Sequence, residues 1–404
     1  MKLNLSQLTL FGGQPTFVDP LHVGCPNVPE GEARAEFLQR ISAMLERRWL
    51  TNQGPLVIEF EQAIAQLLGV RHAIVVCNAT LGLQVVAKAC GLTGEVIVPS
   101  FTFVATAHAL NWIGLEPVFA DVDPIRHTID PEQIEKLITP RTSAIVATHL
   151  WGNACPVERI AQIAHRHQLQ VIYDAAHAFG CSHQGRMIGS FGRAEVFSFH
   201  ATKFINSFEG GAITTNDDEL AWKIRRMMSF GFQDIDQVVS AGTNAKMSEV
   251  CGAMGLSSLS RMTEITATNR LNYEAYSLRL AGLAGVRLLP LDDSETRNYQ
   301  YVIAEVQGKG LTRDELVEVL WAEGIKARRY FYPGCHRMEP YISQARAYSL
   351  PVTERLSDTV LTLPTGTIVT PTEIAEVCSI IRLAMGNAAE VRQRLVRAHQ
   401  VAVA

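Results

Sequence analysis

Apolar positions along the chain recur in short blocks of two kinds, and the two kinds alternate. "HAIVVCNA" (72–79), "GEVIVPSF" (94–101), "PVFADVD" (117–123), "SAIVATHLWG" (143–152), "QVIYDAAHA" (170–178) and "EVFSFHATK" (195–203) are strand-length runs rich in β-branched and aromatic residues. Between them, "PLVIEFEQAIAQLLGV" (55–70) and "PVERIAQIAHRHQL" (156–169) carry apolar residues at helical spacing; the first opens on Pro55 and closes at Gly69. Continuous apolar strands separated by helices predict a mostly parallel sheet covered on both faces. From about residue 260 the alternation gives way. "RMTEITATNRLNYEAYSLRLAGL" (261–283) reads as a long, mostly polar helix bridging two units. "NYQYVIAEV" (298–306), "TRDELVEVLWAEGI" (312–325) and "PTEIAEVCSIIRLAM" (371–385) read as a smaller α+β unit. The expected division is 1–260 for the N-terminal segment and large domain, and 261–404 for the bridging helix and small domain.

Composition narrows the class. A net charge of −4 over 404 residues, with no basic run longer than "KARR" (326–329), argues against a general nucleic-acid binder but leaves room for an anionic small molecule. The eight cysteines lack CxxC spacing and several lie in apolar runs, as Cys77 does in "AIVVCNA". They read as free thiols in a reducing compartment, with no metal site. "MKLNLSQLTLFGG" lacks the apolar core of a signal peptide, and no run approaches a membrane span, so the expected location is the cytoplasm.

Chemistry gathers at two strand ends, where ligands bind in open α/β sheets. "VIYDAAHAFG" (171–180) puts Asp174 after one apolar strand, and "VFSFHATK" (196–203) puts Lys203 after another. Taken singly, such an aspartate is more often a cap and such a lysine a solvated charge. Together they meet the needs of pyridoxal phosphate: a lysine amine for its Schiff base, and a carboxylate for its pyridinium nitrogen. The amine must be uncharged to act as a nucleophile. "CNATLGLQ" (77–84) opens a helix after a strand, a geometry that serves N-capping and phosphate binding equally.

The ordered segments "DAAHAFG" and "SFHATKFINSFEGGAITTND" (198–217) closely resemble the sugar-nucleotide aminotransferases of the DegT/DnrJ/EryC1/StrS family. The likeness runs from "LTLFGGQP" (8–15) to "LTLPTGT" (361–367). It implies the pyridoxal-phosphate aminotransferase fold of type I, with a seven-stranded, mostly parallel sheet in the large domain. Lys203 would carry the cofactor, Asp174 meet its ring nitrogen, and His177 lie near the ring and its 3-hydroxyl. Ser198, Ala79 and Thr80 would hold the phosphate, although Ala79 departs from the Gly-Thr of many relatives. Phe103, in "PSFTFVATAHAL" (99–110), would stack on the ring. Asn244, in "GTNAKMSEV" (242–250), would reach the phosphate of a second subunit, making the functional unit a homodimer with shared sites. Thr51 and Asn52 in "WLTNQGP" and Arg328, Tyr330 and His336 in "RRYFYPGCH" (328–336) would border the substrate. His200 is expected only to brace the lysine loop, and Glu209-Gly210-Gly211 to form a close turn.

Lys203 argues against a branch of the family that has histidine there and performs dehydration. "HLWG", "FSFHATK" and "FYPGCHRMEPY" bring a narrower likeness to enzymes that aminate dTDP-4-keto-6-deoxyglucose at C4. The implied reaction moves an amino group from L-glutamate to the keto-sugar nucleotide, with pyridoxamine 5'-phosphate between the two half-reactions. Amination at C3, a GDP-linked acceptor, or a non-catalytic cofactor-binding regulator are the alternatives. The last would usually bring a DNA-binding segment, and none is visible.

Overall fold

The computed structural model describes residues 1–308, 310–344 and 346–403. The six strand-like runs and one further strand form one sheet: β1 (His72–Val76), β2 (Glu95–Pro99), β3 (Glu116–Ala120), β4 (Thr142–Thr148), β5 (Gln170–Asp174), β6 (Ala194–Ser198) and β7 (Gly211–Thr215), the last not marked as a strand in the sequence. Their order is β1-β7-β6-β5-β4-β2-β3, and only β7 runs antiparallel to its neighbours. Alternate residues of each strand point to opposite faces. Accordingly Val75, Ile97, Ile145 and Phe197 enter one apolar core, and Ile74, Val76, Val96, Val146 and Val196 enter the other. This is why the strands read as continuous apolar runs, as expected for a sheet covered twice.

Because β7 alone is reversed, its first residue lies at the edge where the other strands end. Gly211 pairs with Ser198 of β6 on one side and with Val76 of β1 on the other. Asp174, Ser198, the loop after Val76 and the Gly-Gly turn therefore meet along one edge.

The smaller unit is a three-stranded antiparallel sheet, Val286–Leu288, Val302–Val306 and Val360–Leu363, packed by helices Arg313–Ala322 and Pro371–Gly386. The predicted bridge is the helix Met262–Leu280, which puts Ile265 into the core of the large unit and Tyr276 and Leu280 into that of the small one. The division at residue 260 needs one correction. The first 22 residues pack with the small unit: Leu8 and Leu21 join its core, and Leu21–His22 pairs in parallel with Ile325–Lys326. Glu323 fixes this segment, accepting from Lys2 Nζ (2.5 Å), Thr9 N (2.7 Å) and Thr16 Oγ1 (2.8 Å). No described helix is long and apolar enough to cross a membrane.

Candidate active site

Asp174 ends β5 and is 6% exposed. Its Oδ2 accepts from Thr106 Oγ1 at 2.7 Å and its Oδ1 from Ala176 N at 3.1 Å. Behind it runs a hydroxyl chain, Thr106 to Thr102 (3.0 Å) to Thr148 (3.2 Å). Among the described residues it has no ion-pair partner. Burial pushes its pKa up, opposed by the Thr106 and Ala176 hydrogen bonds and by the charge of Lys203. A buried carboxylate in this condition favours any cationic group placed against it.

Lys203 follows β6 on a short loop. Its Nζ donates to Tyr301 Oη at 3.0 Å. Burial brings its pKa down from 10.5 to about 8, with Tyr330 and Asp174 resisting the fall. Roughly a tenth of the amine is therefore neutral at pH 7, far more than for an unshifted lysine, as a nucleophilic lysine needs. His177 is buried beside it, with its pKa driven well down by burial and by the Lys203 charge, so its ring is neutral. That ring stacks on Trp151 (5.4 Å, 28°) and leans on Tyr301 (4.4 Å). Trp151 in turn stacks on Phe331 at 5.2 Å. Neither His177 Nδ1 nor Trp151 Nε1, both buried, has a protein partner.

At the other end of the edge, Asn78 caps the helix Ala79–Ala89 by accepting from Leu81 N at 2.8 Å. The N–H groups of Ala79 and Thr80 start that helix and have no intrahelical acceptor. Capping by Asn78 and anion binding by its successors thus coexist. Gly211 explains the Gly-Gly turn: a Cβ there would lie 2.7 Å from Phe197 O and 2.9 Å from Ala79 N. Any side chain at 211 would push the helix start away from the strand edge. Gly210 is equally confined, its Cβ position 2.0 Å from Ser207 Oγ.

The arrangement fits pyridoxal 5'-phosphate on three independent counts: a buried carboxylate without a cation, a lysine with a depressed pKa, and a glycine-cleared helix start. Ser198 is half-buried at the end of β6, next to that start. Phe103 is 57% exposed in the single chain, on the loop after β2. Asn244 is exposed, its backbone bridged to Ser229. His200 is exposed and bonds Thr202 Oγ1 at 2.9 Å, which braces the lysine loop.

The substrate-side expectations divide. Arg328 and Tyr330 line a cavity of about 350 Å³ that includes Tyr301, so they stand beside Lys203. Thr51 and Asn52 are exposed on the loop before the helix Pro55–Leu68 and form no part of that cavity. His336 is corrected: it is 6% exposed, with Nδ1 2.7 Å from Ser100 Oγ and Nε2 3.6 Å from Glu354. It ties the small-unit segment to the end of β2 rather than offering itself to a substrate. Tyr301 and Trp151 were not read from sequence as site residues. Each lies within a run whose apolar character explained it as strand or strand end, and only the fold turns them towards Lys203.

Comparison with known proteins gives one answer. Residues 32–382 match the DegT/DnrJ/EryC1/StrS aminotransferase family. The dTDP-4-amino-4,6-dideoxy-D-glucose transaminase of Shigella dysenteriae is 37% identical over 85% of this chain and 94% of its own. The GDP-perosamine synthase of Caulobacter vibrioides is 36% identical over 83% and 92%. The crystal structure of DesI in the presence of its TDP-sugar product superimposes with a TM-score of 0.92, at 50% identity, covering 96% of this chain and 99% of that one.

Proposed function

The chain belongs to the DegT/DnrJ/EryC1/StrS aminotransferase family, whose cofactor is pyridoxal phosphate, and from that premise we propose that it moves an amino group from L-glutamate to C4 of a nucleotide-linked 4-keto-6-deoxyhexose. The preferred acceptor is dTDP-4-keto-6-deoxyglucose, and the working form is a cytoplasmic homodimer with shared sites. The observation that carries the reading is Lys203 Nζ, its pKa lowered to about 8, with Tyr301 at 3.0 Å and the buried Asp174 near enough to feel its charge. The narrowing to C4 is supported by the dTDP-4-amino-4,6-dideoxy-D-glucose transaminases and DesI among the relatives. The dimer is supported by Phe103 and Asn244, whose exposure in one chain suits residues covered by a second.

When bound, pyridoxal phosphate supplies the electron sink through which an amino group leaves one carbon and joins another. The chain's residues supply the rest. Asp174 would hold the ring nitrogen and favour its protonated form, its own ionisation being favoured once a cation lies against it. The N–H groups of Ala79 and Thr80, with Ser198, would hold the phosphate at the helix start. His177, held by Trp151 and Tyr301, would lie beside the ring and its 3-hydroxyl, with its buried Nδ1 lacking a protein partner. Lys203 Nζ, as a neutral amine, would hold the cofactor and, once the donor's amine displaces it, would carry a proton between the substrate carbon and the cofactor. Tyr301 Oη keeps Nζ aimed.

The test is the visible absorption of the cofactor-loaded protein before and after excess L-glutamate. Loss of the visible band, with regain on adding the keto-sugar nucleotide and an amine at C4 by product NMR, is the expected result. A loaded protein that ignores glutamate refutes the donor, and an amine at C3 refutes the regiochemistry. Parallel assays with dTDP- and GDP-linked acceptors decide the nucleotide, which the similarity to GDP-perosamine synthase keeps in play.

A further inference from the structure

The cavity beside Lys203 carries cations with nothing to balance them. Tyr301, whose hydroxyl holds Lys203 Nζ, is also a wall of this space of about 350 Å³. Lys326 and Arg328 line it with His22, and no aspartate or glutamate does. Among the described residues, neither Lys326 nor Arg328 forms an ion pair. Their neighbours do: Arg329 pairs with Asp314 at 3.3 Å, and Arg313 with Asp314 at 2.7 Å. The pairing of cations outside the cavity and not inside it is the distinguishing feature.

The positions are also fixed by backbone. His22 and Lys326 are register partners in the short parallel ladder, so the two side chains leave the same face side by side. Arg328 is pinned through its N–H and C=O to Thr362, at 3.2 and 2.9 Å, and its guanidinium lies 4.9 Å over the Tyr330 ring. Two cations held around one space repel one another unless an anion enters between them. A planar guanidinium fork supported on an aromatic ring is suited to carboxylate or phosphate oxygens.

We propose that Lys326 and Arg328, with His22 at the rim, form an oxyanion subsite that holds the charged end of a substrate whose reacting atom lies at Lys203. The inference rests on the reading of Lys203 as the reacting amine. Two sources bring that chemistry: the carboxylate of the amino donor and the diphosphate of the acceptor. His22 was marked by no motif and Lys326 only by the basic run "KARR", because each sits in a two-residue strand whose partner lies about 300 residues away in sequence.

The experiment uses the cofactor-loaded protein and the variants Lys326→Gln, Arg328→Gln and Arg328→Lys. Maleate and inorganic pyrophosphate, which do not react, are titrated by calorimetry. The glutamate and sugar-nucleotide half-reactions are followed separately by absorbance. The expected result is a rise of tenfold or more in Kd for at least one probe in both Gln variants. The matching half-reaction should show a similar rise in KM at little-changed kcat, with partial recovery in Arg328→Lys. Effects on maleate and glutamate identify the carboxylate, and effects on pyrophosphate and nucleotide identify the diphosphate. Unchanged affinity for both probes and unchanged KM for both substrates, in variants that melt like the parent, overturn the proposal. If the parent protein turns over neither substrate but still binds a probe through Lys326 and Arg328, the proposed reaction fails while the subsite stands.

Discussion

Asp174 and Glu323 are both buried carboxylates, yet their surroundings are opposite. Glu323 receives a lysine, a backbone N–H and a threonine hydroxyl; against burial, which pushes its pKa up, Lys2 and these donors hold it down. Asp174 receives a hydroxyl and one N–H but no cation, and burial wins. A structural carboxylate is satisfied by its own chain, because leaving a buried charge unpaired is costly. A binding carboxylate is left for a ligand to complete. The incomplete set, with the depressed lysine beside it, marks the site more clearly than either residue type does.

Breaking the two sets should have different consequences. The largest effect is on activity: on the proposed reading Lys203→Ala removes nucleophile and proton carrier together and should lower turnover by at least about 10³-fold. Dialysed protein should still hold cofactor non-covalently. Steady-state rates with both substrates check the first point, and phosphate analysis of the retained cofactor checks the second. Next comes Glu323→Gln, which removes the charge that holds Lys2 and should cost about 3 kcal/mol of stability. Its kcat should stay near that of the parent protein, because Lys2, Thr9, Thr16 and Glu323 do not line the cavity beside Lys203 and the His22–Lys326 ladder is held by backbone pairing as well. Denaturant unfolding beside a turnover assay separates the two.

Asp174→Asn inverts that pattern. Loss of the carboxylate should lower turnover by roughly 10²-fold, the scale of a preorganised electrostatic contact. The cofactor-free protein should unfold no earlier than the parent, since a buried, cation-less charge is being removed. If instead the variant proves markedly less stable at unchanged kcat, Asp174 is another Glu323 and the contrast collapses.

The same contrast explains what could be read from sequence. Six of the seven strands of the large sheet were legible because burial on both faces makes them continuous apolar runs, and Asp174 and Lys203 were legible because each follows such a run. Gly211 was visible as a turn, but its reason, the helix start 2.9 Å from its missing Cβ, needs the antiparallel β7. The Glu323 clamp was not legible: it joins residues 2, 9 and 16 to a helix end more than 300 positions later, and local patterns carry no trace of that. Tyr301 and Trp151 were hidden because an aromatic in an apolar run is ordinarily core. His336 misled in the other direction, since a histidine near an expected pocket reads as a ligand until Ser100 is found 2.7 Å away.

The smallest effect sharpens the comparison from the lysine side. A lysine whose pKa falls from 10.5 to about 8 on folding binds fewer protons in the folded chain than in the unfolded one between those values. Stability conferred by this position therefore rises with pH across that window, and below about pH 8 the full cost of burying the amine is present. Lys203→Met removes that cost while keeping the apolar stem. The cofactor-free variant should be more stable than the parent at pH 7, by at most about 3 kcal/mol from the size of the shift. A gain nearer 1 to 2 kcal/mol is expected, because Nζ keeps a hydrogen bond to Tyr301. The gap should narrow as pH rises towards 10. Urea unfolding of both proteins at pH 7 and pH 9.5 measures it. A gap that is absent at pH 7, or that widens with pH, would mean that the amine is as well accommodated as Lys2 is by Glu323, and the active site would lose the unfinished character that distinguishes it.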